Sequence, residues 1–214
     1  NRNVQPQAGA NPLVGLPEIT DRTLANGARL LAVANDETPT VSLRVLFAVG
    51  QRDEPAGKAG LANLTARMMS EATLRRSAAE FSEALERIGA SVSVGAGQYT
   101  TSISLNVLSK NYEQGVELMM ERLLEPAFTE EDFDRVKSQL MESLLQARKS
   151  GPALAGRAMG AVLAGPEHPL SYPRSGLPGT VASISLEDVR AFYAEHMPQH
   201  LQGVLASSSL PLES

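Results

Sequence analysis

Residues 60–69 read Gly60-Leu61-Ala62-Asn63-Leu64-Thr65-Ala66-Arg67-Met68-Met69. Leu61, Leu64 and Met68 fall at i, i+3 and i+7, one apolar stripe that predicts a helix over roughly residues 58–72. At about 100° per residue, Asn63, Ala66 and Arg67 are expected on the side opposite that stripe. Taken alone the segment is an ordinary amphipathic helix lying on a sheet. Its meaning depends on what flanks it.

Upstream, Thr23-Leu24-Ala25-Asn26-Gly27-Ala28-Arg29-Leu30 places an Asn-Gly pair between two strand-like runs, a strong hairpin signal. Val41, Leu43, Val45 and Phe47 then alternate with Ser42 and Arg44, the period of a strand with one buried face, up to Gly50. Downstream, Ser77 and Glu80 form a capping box that opens a second helix, packed through Phe81, Ala84, Leu85 and Ile88 and stopped at Gly89. Strands are expected over 91–95 and 100–108, the second with Ile103, Leu105 and Val107 alternating against Ser102, Ser104 and Asn106. Helices follow over 111–124 and 130–149. The latter is opened by Thr129 and striped by Phe133, Val136, Leu140 and Leu144, with Glu142 opposite the stripe. A small-residue helix over 152–164, a Pro/Gly loop over 165–180, a helix over 185–196 and a strand over 202–207 complete the chain. This order predicts an α+β two-layer sandwich, a largely antiparallel sheet with helices packed over it.

The composition fits a globular domain: 214 residues, 43% hydrophobic. A net charge of -5 with scattered basic residues gives no reason to expect nucleic acid or anionic lipid as a partner. With no cysteine, a disulfide framework and a thiolate metal site are both excluded. No run of about 18 apolar residues is present, so no membrane-spanning helix is expected. The polar start, with Pro6 and Pro12, reads as a linker over 1–15, leading into one domain over 16–214. The chain is expected to be a piece of something longer.

Several pieces in order resemble the pitrilysin/insulin-degrading enzyme/mitochondrial processing peptidase family of inverted-zincin metallopeptidases. They are Leu24-Ala25-Asn26-Gly27-Ala28-Arg29-Leu30, Gly50-Gln51-Arg52-Asp53-Glu54-Pro55, Gly57-Lys58-Ala59-Gly60-Leu61-Ala62 and the late Ile184-Ser185-Leu186-Glu187-Asp188-Val189-Arg190-Ala191-Phe192. The resemblance spans about residues 16–207. Active members carry His-x-x-Glu-His directly after that Gly-Leu-Ala. Two imidazoles at i and i+4 hold Zn²⁺ while the glutamate activates the metal-bound water. In this chain those positions are Asn63, Ala66 and Arg67, so two neutral nitrogen donors and the base are replaced by an amide, a methyl and a cation with no lone pair to offer. The third family ligand, a glutamate on a later helix, corresponds by spacing to Glu142.

The resemblance therefore implies an inactive-type domain with no catalytic residue, no metal and no cofactor of its own, Glu142 being a vestigial ligand position. It is expected to be one half of a longer two-domain unit. It would help enclose a peptide substrate and support an active zinc-bearing metallopeptidase domain or subunit of the same family. The alternative is a scaffold or assembly module with no substrate contact. Bacterial periplasm is favoured over cytoplasm by the resemblance. If the helices of Arg67 and Glu142 meet as in active members, the two side chains are expected to pair directly or through one water.

Other candidates weigh less. His196 and His200 have i, i+4 spacing, but Pro198 interrupts the helix that would align them, and His168 reads as structural. Asp53 and Glu54 adjoin the segment and are expected to be solvated or turn-stabilising. Met68, Met69, Met119 and Met120 read as core filler.

Overall fold

The first hairpin forms where the Asn-Gly pair puts it. In this computed structural model, which describes residues 9, 17–165, 168–197 and 199–210, strand β1 (Ile19–Thr23) pairs antiparallel with β2 (Arg29–Ala34). Gly27 turns the chain at φ 85°, and the Asn26 side chain accepts the Ala28 amide. The reading of 1–15 as a linker falls outside the described residues, Gly9 apart.

The remaining elements follow the expected order. They are β3 (Thr40–Phe47), α1 (Leu61–Met68), α2 (Ala78–Ile88), β4 (Ser91–Ala96), β5 (Thr101–Leu108), α3 (Tyr112–Leu124), α4 (Glu130–Ala147), α5 (Gly151–Ala164), α6 (Pro178–Ser183), α7 (Leu186–His196) and β6 (Leu201–Ser208). One six-stranded sheet has the order β1-β2-β6-β3-β5-β4 and is antiparallel at every pairing except β2–β6, which is parallel. The last strand thus slots between the opening hairpin and β3. At its register partner Arg29 the chain needs Gly203, where a Cβ would overlap the Arg29 carbonyl oxygen.

Period-two alternation holds in the central strands. Val41, Val45 and Phe47 of β3 and Ile103, Leu105 and Val107 of β5 are buried against the helices. On the other face Ser42 Oγ donates to Asn106 Oδ1 and Arg44 Nε to Ser104 Oγ, leaving a polar, open sheet surface. Helix α2 starts with the Ser77/Glu80 capping box and ends at Gly89 in the left-handed conformation.

Three features differ from expectation. The helix expected over 58–72 is limited to α1, because Gly60 sits at φ 101° and begins the helix abruptly. Nor is α1 a surface helix. Leu61, Ala62, Leu64, Thr65, Ala66 and Met68 are all buried, since α4 and α7 pack on the sides that β4 does not cover. Ala66 therefore lies inside the core and not on an open face. Lastly, the Pro/Gly loop over 165–180 contains a 3₁₀ turn, Pro169–Ser171, and the first turn of α6. Pro178 occupies α6's first position and Thr180 Oγ1 accepts the Leu177 amide.

Candidate functional site

The N-terminus of α1 is held by a buried carboxylate. Gly60 has no side chain to cap the helix, and Glu54, from the preceding loop, takes that role. Its Oε2 accepts the Gly60 amide at 3.1 Å and its Oε1 the Ala62 amide at 2.9 Å. Burial pushes the Glu54 carboxyl up to about 7, against the downward pull of the Ala62 and Gly60 amides. The expectation of a solvated Glu54 is corrected, because the side chain is only 9% exposed and serves the helix end. Asp53 does stabilise its turn, accepting the Gly50 amide at 2.8 Å.

The loop before α1 is also tied to the far end of the chain. Lys58 Nζ contacts Asp188 Oδ2 at 2.7 Å and the Ser183 carbonyl at 2.5 Å, and the lysine holds the Asp188 carboxyl below its usual range. Thr180 Oγ1 donates to the Ala59 carbonyl. These contacts, between residues more than a hundred apart in sequence, fix the direction in which α1 leaves the loop.

One turn into α1, Arg67 Nε donates to Asn63 Oδ1 at 3.0 Å. Ala66, between them on the helix, is 3% exposed and Arg67 is exposed. Glu142 lies exposed on α4, which packs beside α1. Among the described residues no Arg67–Glu142 ion pair exists within 4.0 Å. The expected direct pairing is thus corrected. Asn63 meets the guanidinium at i, i+4 along the same helix, and a solvated Glu142 bears no desolvation cost that a partner must offset.

These side chains do not fit a zinc ion. The Asn63 amide oxygen is engaged by Arg67, Ala66 offers no donor, and the Arg67 guanidinium has no lone pair to give a metal. Among the described residues no three His, Cys, Asp or Glu side chains gather as a metal site. The His196 and His200 rings lie 5.6 Å apart, with His196 edge-on to Phe192 at 4.7 Å. Pro198 between them lies outside the described residues. His168 Nδ1 accepts the Leu170 amide and caps the 3₁₀ turn. Met68, Met69 and Met119 are core residues, but Met120 is 38% exposed.

Sequence reasoning missed Arg122. It is 6% exposed, donates from Nη1 to the Val92 carbonyl of β4 and from Nη2 to Ser70 just after α1, and stacks 4.0 Å over the Phe81 ring of α2. Burial lowers its pKa to about 10. It locks edge strand β4 to two helices. No spacing rule links residue 122 to residues 70, 81 and 92, so no local signal could have found it.

A family model described as Insulinase (Peptidase family M16) matches residues 29–157, which hold β2 through the first half of α5 and include α1 and α4. The chain belongs to the insulinase family. The M16 inactive domain from Pseudomonas fluorescens superposes with a TM-score of 0.85 at 24% identity, covering 92% of this chain and 48% of that one. Pitrilysin superposes at 0.76 and 19% identity, covering 92% and 21%. At these identities the likeness establishes the shared fold. Among curated relatives, a Helicobacter pylori protein named non-peptidase homolog YmxG is 26% identical over 161 residues, 75% of this chain and 37% of that protein. A probable mitochondrial-processing peptidase subunit beta from Arabidopsis thaliana is 23% identical over 206 residues, 96% of this chain and 39% of that protein. The chain spans about two-fifths of the length of the curated relatives it matches. Among the described residues no helix is long and apolar enough to cross a membrane.

Proposed function

We propose that this chain is a non-catalytic domain of the insulinase family that helps enclose an extended peptide and supports an active, zinc-bearing partner domain or subunit of the same family. The observation that carries the reading is the Arg67–Asn63 hydrogen bond on α1. Where the family motif calls for two imidazoles and a base, the helix holds a cation satisfied by an amide, beside a buried methyl. Residues 16–214 then act as one half of a two-domain unit, with zinc and hydrolysis on the other half. Asn63, Ala66, Arg67 and Glu142 are vestigial positions without a chemical role.

Two surfaces support the enclosing role. Strand β4 ends the sheet and has a single ladder partner, so an extended peptide can add to its outer edge by main-chain hydrogen bonds, with little demand on sequence. Helix α5 has no buried residue, and Met159, Val162 and Leu163 are 60%, 81% and 77% exposed, an apolar face suited to another protein surface. That face equally suits the scaffold reading, and peptide contact distinguishes the two.

The test is elemental analysis of the purified chain, with fluorogenic peptide hydrolysis measured alone and with an active family partner. The reading expects no stoichiometric zinc, no chelator-sensitive hydrolysis by the chain alone, and faster hydrolysis by the partner when the chain is added. About one zinc per chain after dialysis would overturn it.

A further inference from the structure

Between the end of α4, helix α5 and residues 170–178 runs a groove of about 450 Å³. Leu144, Leu154, Leu170 and Leu177 give it an apolar lining, with the Tyr172 ring among them. Its charged members are Arg148, Arg157 and Arg174, one from each wall, all exposed, and no acidic residue lines it among the described residues. None of the three arginines has an ion pair among the described residues. Elsewhere on the surface Arg29, Arg75, Arg87 and Arg135 are each tied to a carboxylate. In a chain of net charge -5 this groove is a local concentration of unspent positive charge around an apolar trough.

The larger cleft between α2 and α3 differs in kind. It mixes Arg75, Arg76 and Arg87 with Glu117, Glu121 and Glu125, and its arginines are neutralised by neighbouring acids. It selects no ligand charge.

We infer that the α4–α5 groove is a specificity pocket for peptide segments in which aspartate or glutamate stands beside apolar side chains. Guanidinium groups pair with carboxylates bidentately, and three of them spaced around an apolar trough read a segment that is both acidic and greasy. Position supports a peptide as the occupant. Gln98, in the turn that follows β4, also lines the groove, so a strand added along β4 runs on toward the arginines. This inference rests on the peptide-enclosing reading above and names its substrate class.

The experiment uses the full chain and three short peptides that alternate valine with glutamate, with glutamine or with lysine, titrated while backbone amide resonances are followed. Binding by one half of an enclosure is weak, so titration is carried to about 1 mM peptide. The glutamate peptide is expected to bind about tenfold more tightly than the glutamine peptide at low salt, with the advantage fading at about 0.5 M salt. The lysine peptide is expected to bind least. Shifts should concentrate on 144–157 and 170–178. Replacing Arg148→Gln, Arg157→Gln and Arg174→Gln together should erase the charge preference, whereas Arg87→Gln, outside the groove, should preserve it.

Equal binding of all three peptides with shifts confined to β4 overturns the groove inference and leaves the enclosing role standing. Arginine-dependent shifts in the groove with none on β4 support the groove and remove strand addition. Absence of groove shifts up to the highest concentration overturns the inference, as does an arginine-dependent dimer of the chain that fills the groove with a second copy.

Discussion

Ala66 is a core position, 3% exposed on a helix that packs against α4, α7 and β4. A glutamate there would force a larger, charged side chain into a site only 3% exposed, so Ala66→Glu is expected to lower unfolding free energy by about 3 kcal/mol in urea denaturation. A loss below about 0.5 kcal/mol would show that the position opens onto solvent. Glu54 carries a pH signature. Its folded pKa, raised to about 7, exceeds the unfolded carboxylate value, so its contribution to stability is full below about pH 4.5 and is lost as pH rises through 7. Glu54→Gln is expected to flatten the stability profile between those limits, as read by chemical denaturation at a series of pH values. An unchanged slope would assign the pH dependence to another group.

At the scale of elements, the entry to α1 depends on two glycines facing each other across chain segments far apart in sequence. Gly60 at φ 101° has the Ser175 carbonyl against the place a Cβ would take, and Gly176 at φ 77° has the Ala59 carbonyl there. Gly60→Ala and Gly176→Ala each combine left-handed strain with backbone overlap, and each is expected to cost more than about 2 kcal/mol. Gly57→Ala is the control: φ is 79° but the space is open, so only the strain of about 1 kcal/mol applies. Equal losses at all three positions, measured by thermal or urea unfolding, would mean that the approach of the two segments contributes nothing. The elements themselves were largely legible. The Asn26-Gly27 hairpin and the Ser77/Glu80 box are local chemistry, and both occur where the residues placed them. Helix α6 was not legible, because Pro178-Gly179 reads as loop until Thr180 closes its own capping contact.

At the scale of the molecule, α5 presents most of its side chains outward. Val162→Glu with Leu163→Glu changes residues that are 81% and 77% exposed, so the fold should keep its stability within about 0.5 kcal/mol. The same pair should abolish the gain in a partner's hydrolysis if α5 is the docking face. Retained gain with the double variant, measured by fluorogenic peptide turnover, would move the partner to another surface, for example the polar open face of the sheet around Ser42 and Arg44.

The sequence by itself determined the family, the order of every strand and of every helix but α6, and the placing of Asn63, Ala66 and Arg67 on one helix. Each of these rests on neighbours along the chain: a period of two or three to four, a cap three residues away, a motif of five. Only the tertiary structure decided that α1 is a buried helix, that β6 enters parallel to β2, and that Glu54 turns inward to hold the α1 amides. It also showed Arg67 bonded to Asn63 without a Glu142 ion pair, and three arginines from separate segments around one groove. These outcomes depend on which surfaces cover which. Burial and charge are set by segments a hundred residues apart, such as Lys58 with Asp188, whose proximity no local periodicity encodes.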